Sequence, residues 1–206
     1  MRNVRVRRGV LTAAAALCFA SGAPQADRSA KAERPCNHSV TIDAVTYDVP
    51  ERWCERYVPP HERAAADTLV ALPKDLCDNG SRIYVTRATR EAFVRMAEAA
   101  RKAGIRFRVD SGYRSPAYQK RVIRRRMAEG QTFHQVVRFV APPGFSQHHT
   151  ARALDLVPSE ARFVHTDAYK WLTRHAADFG FVESYPKPVE KSDYDYWESW
   201  HWYYRE

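Results

Sequence analysis

Two segments in the second half of the chain carry the side chains that a hydrolytic metal site requires. His148 and Asp155 lie seven residues apart, and Glu198 and His201 lie three residues apart. A catalytic zinc ion takes three ligands of the nitrogen or carboxylate type and keeps one position for water. The sequence therefore predicts that His148, Asp155 and His201 bind one zinc ion per chain. Glu198 would be the general base that takes a proton from the attacking water.

The spacing within each pair indicates how the chain must fold to bring these groups together. A histidine on a loop and an aspartate seven residues later in a strand can reach one ion if the chain doubles back between them. In a regular strand, Glu198 and His201 would point to opposite faces, so we expect a turn at Ser199 and Trp200. That turn would point the histidine at the ion and the glutamate at the water. We expect His149 to support the site from behind or to face solvent.

Three short motifs contain these residues and an arginine that precedes them. The sequence reads S-Q-H-H-T-A-R-A-L-D over 146–155, E-S-W-H over 198–201 and S-G-Y-R-S over 111–115. In the same order, they resemble the S-x-H-x-x-G-x-A-x-D, E-x-W-H and S-G-Y-R-S motifs of VanY-like D-alanyl-D-alanine carboxypeptidases. That family belongs to a wider group with the lysostaphin-type peptidases and the hedgehog signalling domain. The resemblance covers about residues 70–206.

The resemblance implies an activity, a fold and roles for individual residues. It implies a zinc peptidase that removes the terminal D-alanine of peptidoglycan stem peptides, with a fold like that of hedgehog and the D-Ala-D-Ala peptidases. His148, Asp155 and His201 match the zinc ligands. Glu198 matches the catalytic base, and Arg114 matches the arginine that stabilises the oxyanion of the substrate carbonyl. The predicted substrate-binding residues are Arg114, Gln119, Ser146, Tyr113 and Trp200.

One position departs from the family pattern, because Ala151 stands where the motif has glycine. Glycine at such a position often marks a positive φ or a close approach of two backbone segments. If φ is positive, alanine costs about 1 kcal/mol, whereas if only closeness matters, the methyl group fits. The departure bears on the geometry of the loop rather than on the ligands.

Other functions fit part of the sequence. An endopeptidase that cuts between L-alanine and D-glutamate of the same polymer needs the same zinc site, and the motifs do not separate DD from LD carboxypeptidases. A non-catalytic zinc domain that binds wall or protein is the alternative from another class, and the presence of Glu198 and Arg114 argues against it. Nucleic-acid binding is the weakest alternative, because four of the nine excess positive charges lie in the first eight residues. We expect a monomer whose partner is the peptidoglycan stem peptide.

The first 26 residues predict a secretory signal peptide. They combine a basic start, a short apolar run over 9–20 and small residues after it, and Arg7-Arg8 resembles a twin-arginine export signal. Without this segment the net charge falls from +9 to +5. No apolar run reaches the roughly 18 residues that a membrane span needs. We therefore expect an exported protein that is periplasmic, secreted or associated with the cell wall.

The remaining chain predicts a leader and one catalytic domain. Residues 27–69 are predicted to be a leader and irregular segment, and the zinc peptidase domain is predicted over 70–206. Three cysteines follow the signal peptide, and an oxidising compartment permits one disulfide among them. We expect Cys36 to pair with Cys54, which leaves Cys77 free.

Hydrophobic periodicity predicts the elements that hold the motifs. Helices are predicted over 89–103, from the cap Ser115 through the basic stretch 120–126, and over 167–179. Short strands are predicted over 105–109, 153–157, 181–184 and 200–204. Because helices and strands mix without regular alternation, the predicted class is α+β, with a small, mostly antiparallel sheet and helices packed around it.

Overall fold

The computed structural model describes residues 35–185 and 197–205. The predicted signal peptide, residues 1–26, lies outside the described residues. Within them, helices mix with short antiparallel sheets, which confirms the predicted α+β class. No helix in this part of the chain is both long enough and apolar enough to cross a membrane.

A β-hairpin opens the described chain, which differs from the irregular segment predicted over 27–69. Strand β1 (Pro35–Ile42) pairs antiparallel with β2 (Val45–Pro50). The two turn residues, Asp43 and Ala44, have φ of 46° and 66°. This turn lacks the asparagine–glycine or aspartate–glycine pair that usually signals a two-residue hairpin, so the sequence pattern did not mark it.

A four-stranded antiparallel sheet forms the centre of the fold, beside a two-stranded sheet of β3 (Leu69–Ala71) and β4 (Tyr84–Thr86). The central strands are β5 (Val109–Ser111), β6 (Ala153–Leu156), β7 (Phe181–Glu183) and β8 (His201–Tyr204). Their order in space is β5-β6-β8-β7. The strand predicted at 105–109 is wrong in position, because β5 begins only at Val109. The other three predicted central strands are confirmed to within a residue or so at their ends.

The helices of the described residues start at residues that cap their free N–H groups. They are α1 (Arg87–Lys102), α2 (Pro116–Ala128), α3 (Phe133–Val137) and α4 (Asp167–His175). Thr86, Ser115 and Thr166 each accept a hydrogen bond from the backbone N–H three residues later. These caps confirm the three predicted helices, although the last one continues beyond α4 only as a 3-10 helix. Helix α3 was not predicted.

Two hydrophobic cores hold these elements together. The main core lies between α1, the central sheet and α4, and Phe93 and Leu154 are fully buried in it. The second core lies under the hairpin, where Val49 packs with Ile123 of α2 and with Phe145. Because Phe145 directly precedes the S-Q-H-H motif, the hairpin and the motif share one packing unit.

Two cysteines have free thiols in the part of the chain whose side chains the structure describes. Cys54 and Cys77 are free thiols, so the expected Cys36–Cys54 disulfide is absent from the structure. The Cys77 thiol is buried and lies 3.4 Å from the carbonyl oxygen of Pro73. Burial raises the pKa of the Cys77 thiol above its usual value, which favours an unreactive thiol.

Candidate metal centre

The central sheet brings two of the predicted ligands together by its register. Asp155 of β6 and His201 of β8 are direct partners in the antiparallel pair, so their side chains leave the same face. His148 comes from the 3-10 turn Gln147–Thr150, which leads into β6. The ligand atoms of the three residues all lie within 4.8 Å of one another, and all three side chains are buried.

The donor atoms face each other at short range. His148 Nε2 lies 3.1 Å from Asp155 Oδ2, and His201 Nδ1 lies 2.8 Å from Asp155 Oδ1. His148 Nε2 has no hydrogen-bond partner among the described residues although it is buried. A buried nitrogen lone pair aimed at a carboxylate is unfavourable by itself. A divalent cation among these atoms would satisfy it, and the donor set of two imidazoles and one carboxylate suits zinc.

Hydrogen bonds on the far side of each imidazole fix which nitrogen faces the centre. His148 Nδ1 lies 2.5 Å from the carbonyl oxygen of Gly112, and His201 Nε2 lies 3.0 Å from Oε1 of Gln147. If each of these nitrogens donates its proton outward, the inward nitrogens keep their lone pairs for a metal ion. Such partners orient metal-binding histidines in many proteins. Gln147 was not predicted, since a single sequence gives no signal that separates it from any polar loop residue.

The charge states also fit a metal site. Burial, together with the charge of Arg114, lowers the pKa of His148 to about 4, so its imidazole is neutral at physiological pH. Burial acts to raise the pKa of Asp155, but its interactions with His148, Arg114 and His201 outweigh this and hold that pKa well below its usual value. A neutral imidazole and an ionised carboxylate are the forms that bind metal ions.

The loop after β5 carries Arg114 to the same place. Its Nη2 donates a hydrogen bond of 2.7 Å to Asp155 Oδ2. The backbone of Arg114 is tied to the histidine turn, because its N–H donates to the carbonyl oxygen of His148 and its own carbonyl oxygen lies 2.6 Å from His149 Nδ1. His149 is fully buried. His149 therefore supports the site from behind and does not face solvent.

Glu198 reaches the centre through the expected turn. Ser199 and Trp200 form a turn, and the N–H of His201 donates to the carbonyl oxygen of Glu198 at 2.9 Å. Burial raises the pKa of the Glu198 carboxyl above its usual value, and the nearby charge of His201 opposes this rise. A raised pKa moves this carboxyl toward the range in which a general base both accepts and returns a proton.

Tyr185 also lies at the centre and was not predicted. Its ring centroid is 5.0 Å from that of His201. Burial and the charge of Glu198 raise the pKa of its hydroxyl, which therefore stays protonated. No motif contains Tyr185, and its proximity results from the way β7 runs beside β8.

The predicted substrate-binding residues lie in different surroundings. Gln119 is buried, its Nε2 donates to the carbonyl oxygen of Ala141, and its Oε1 has no partner among the described residues. The hydroxyl of Ser146 accepts from the N–H of His148 and so caps the histidine turn. Tyr113 is half-buried on the loop that carries Arg114. Trp200 is partly buried and packs against the main core.

Residues 82–206 match the family model described as VanY, D-alanyl-D-alanine carboxypeptidase. The match covers more than half of the chain and includes all three motifs. The chain belongs to the VanY family.

Relatives and solved structures agree with this membership. The chain is 27% identical over 150 residues to a D-alanyl-D-alanine carboxypeptidase of Enterococcus faecium, an alignment that covers 69% of this chain and 46% of the relative. The structure of the LdcB LD-carboxypeptidase aligns with a TM-score of 0.61 at 25% identity, over 82% of this chain and 84% of that one. A zinc complex of the D,D-pentapeptidase VanY aligns with a TM-score of 0.50 at 27% identity, over 74% of this chain and 88% of that one. The chain spans less than half of the length of the curated relatives that it matches.

The structure also explains the alanine at the position of the VanY-family glycine. Ala151 ends the histidine turn with φ of 55° and is fully buried. The positive φ costs an alanine about 1 kcal/mol. Burying the methyl group returns about 0.8 kcal/mol, so the two effects nearly cancel and the turn keeps its shape.

Replacing Gly112 by alanine is expected to lower the zinc affinity of this VanY-type centre, although Gly112 is not a predicted ligand. The added Cβ would lie 2.6 Å from Cγ2 of Ile83 and 2.7 Å from the carbonyl oxygen of Tyr84. The backbone must therefore move, and with it the carbonyl group that orients His148. We expect the free energy of unfolding to fall by about 1–3 kcal/mol and zinc affinity to fall about 10- to 100-fold. Chemical denaturation and zinc titration against a competing chelator measure the two effects, and an unchanged zinc affinity would contradict the role given to this carbonyl.

Proposed function

We propose that this protein is a zinc-dependent carboxypeptidase that removes the terminal D-alanine from peptidoglycan stem peptides. The observation that carries the proposal is the convergence of His148, Asp155 and His201 within 4.8 Å, with Glu198 and Arg114 beside them. Membership of the VanY family and the likeness to the LdcB and VanY structures support the same reaction class.

The mechanism assigns a separate task to each side chain. His148 Nε2, one oxygen of Asp155 and His201 Nδ1 would hold one zinc ion, which supplies Lewis acidity toward water and the scissile carbonyl. Glu198 takes a proton from the attacking water and passes it to the amine of the departing residue. Arg114 stabilises the negative charge that develops on the carbonyl oxygen, because a fixed guanidinium needs no reorganisation during the reaction.

The substrate-binding assignments extend this mechanism to the peptide. We assign Gln119 and Ser146 to peptide binding, together with Arg114 and Tyr113 on the adjacent loop. The buried Oε1 of Gln119, which has no partner among the described residues, is suited to accept a hydrogen bond from a peptide N–H. Trp200, which is partly buried against the main core, is assigned to the same set.

Export and a monomeric state complete the proposal. Relatives of this chain carry the name D-alanyl-D-alanine carboxypeptidase, and a peptidoglycan substrate lies outside the cytoplasm. This location agrees with the signal peptide predicted over 1–26, and we propose no nucleic-acid partner.

Digestion of defined stem peptides tests the proposal. Purified zinc-loaded protein is incubated with tri-, tetra- and pentapeptide stems, with and without a chelator, and the products are identified by mass. Loss of one D-alanine from the pentapeptide indicates a DD carboxypeptidase, and loss from the tetrapeptide indicates an LD carboxypeptidase. A product cut between L-alanine and D-glutamate would replace the proposal by an endopeptidase, and no cleavage of any stem would contradict it.

A further inference from the structure

A small basic cleft adjoins Glu198. It has a volume of about 100 Å³ and is lined by Arg52, Trp53, Arg56, Arg138, Phe139, Tyr185 and Glu198. Three of these seven residues are arginines, and three others supply aromatic rings. A cationic cleft with aromatic walls, placed beside a general base, suits a small anionic group of the substrate.

Arg56 is the arginine of the cleft whose charge reaches the reacting groups. Its guanidinium carbon lies 4.2 Å from the ring centroid of Tyr185 and 5.5 Å from that of Trp53. Its positive charge opposes the burial that raises the pKa of Glu198 and of Tyr185. No carboxylate of the described residues forms an ion pair with Arg56, so its guanidinium fork is available to a ligand.

The segment that carries Arg56 is held firmly against the rest of the fold. It is a 3-10 helix, Glu51–Arg56, that follows directly after β2. Nε1 of Trp53 donates to the carbonyl oxygen of Val137 at 2.9 Å, and Nη1 of Arg52 donates to that of Arg138 at 3.1 Å. This segment precedes residue 82, where the match to the VanY family model begins. The cleft is therefore built in part by a region that lies outside the matched domain.

We propose that Arg56 binds the free terminal carboxylate of the substrate and thereby directs the enzyme to chain ends. The inference rests on the proposed function, in which Glu198 gives a proton to the amine of the departing residue. In a terminal residue, the carboxylate is attached to the same α-carbon as that amine, so it lies within a few bond lengths of Glu198. The cleft beside Glu198 is where this carboxylate would enter. Arginine matches the two oxygens of a carboxylate with two parallel N–H donors.

A comparison of acid and amide substrates tests this assignment. Wild-type protein, Arg56→Gln and Arg56→Lys are assayed on a pentapeptide stem with a free C-terminus and on the same peptide with a C-terminal amide. We expect wild-type kcat/KM to be about 10- to 100-fold higher for the acid than for the amide, as for loss of one charged hydrogen bond. Arg56→Gln should lose this preference because hydrolysis of the acid alone becomes slower, mainly through a higher KM. Arg56→Lys should retain part of the preference. Arg125→Gln, which removes an exposed arginine of α2, should keep the full preference.

Two further arms separate the possible failures. Peptides with lysine or with an acidic residue before the D-alanines show whether Arg56 binds the terminal carboxylate or a side-chain carboxylate. If Arg56→Gln slowed hydrolysis of the acidic peptides only, the terminal assignment would be wrong. Equal slowing of acid and amide would also overturn it. Binding of the acid and amide to Glu198→Ala and to Glu198→Ala/Arg56→Gln is measured by calorimetry, independently of turnover. Selective binding of the acid that disappears in the Arg56→Gln variant would support the subsite even if no stem is cleaved. Cleavage of the acid and the amide at equal rates would contradict the Arg56 assignment but not the proposed enzyme activity.

Discussion

Replacing Glu198 by glutamine is expected to lower kcat for stem-peptide hydrolysis by about 10²- to 10⁴-fold, the usual contribution of a general base. Glutamine keeps the shape of the side chain but cannot accept the proton of the attacking water. The metal ligands are untouched, so the variant should still bind one zinc ion per chain. Single-turnover kinetics on the preferred stem, together with metal analysis of the same sample, measure both quantities.

The same variant separates catalysis from binding. If the domain acted only by binding wall or protein through a zinc fold, Glu198→Gln would keep its full biological effect, and the proposed reaction would be wrong. Glu160→Gln is the control, because it removes an exposed carboxylate that pairs with Arg162 and not with a residue of the metal centre. We expect this control to match the wild type in kcat and in zinc content.

The grouping of His148, Asp155 and His201 was predictable, because its chemistry and its local geometry are both encoded over short distances. His148 lies on a turn and Asp155 on the strand after it. The turn before His201 was expected because a regular strand would point Glu198 and His201 to opposite faces. The remaining step, the register of β6 against β8, pairs Asp155 with His201. A shift of this register by one residue would turn the Asp155 side chain to the opposite face of the sheet, away from His201.

The cleft beside Glu198 was not predictable in the same way. Arg56 lies about 90 residues before the nearer of the two metal-binding motifs, and the packing of the hairpin on Phe145 brings it to them. The hairpin itself was missed, since Asp43 and Ala44 adopt positive φ without the usual turn residues. Long-range packing of this kind depends on the whole core rather than on a local pattern.

Replacing Asp155 by alanine is expected to remove the metal centre. Asp155 is the residue that both histidines and Arg114 contact, at 3.1, 2.8 and 2.7 Å. Without its carboxylate, two imidazoles remain to face a guanidinium, and this combination repels a cation. We expect zinc content to fall from one per chain to near zero. Because a metal ion contributes several kcal/mol to the transition state, kcat/KM should fall by at least about 10³-fold.

The matched control for this prediction is Asp178→Ala, which removes an exposed aspartate after α4 and should keep both zinc and activity. Chelation of the wild-type protein should reproduce the loss of activity, and added zinc should restore it, whereas zinc should not restore Asp155→Ala. Circular dichroism of the variant distinguishes loss of the ion from loss of the fold. If Asp155→Ala bound one zinc ion with wild-type affinity, the three side chains would not form the metal centre, and the reaction proposed for this protein would have no site at which to occur.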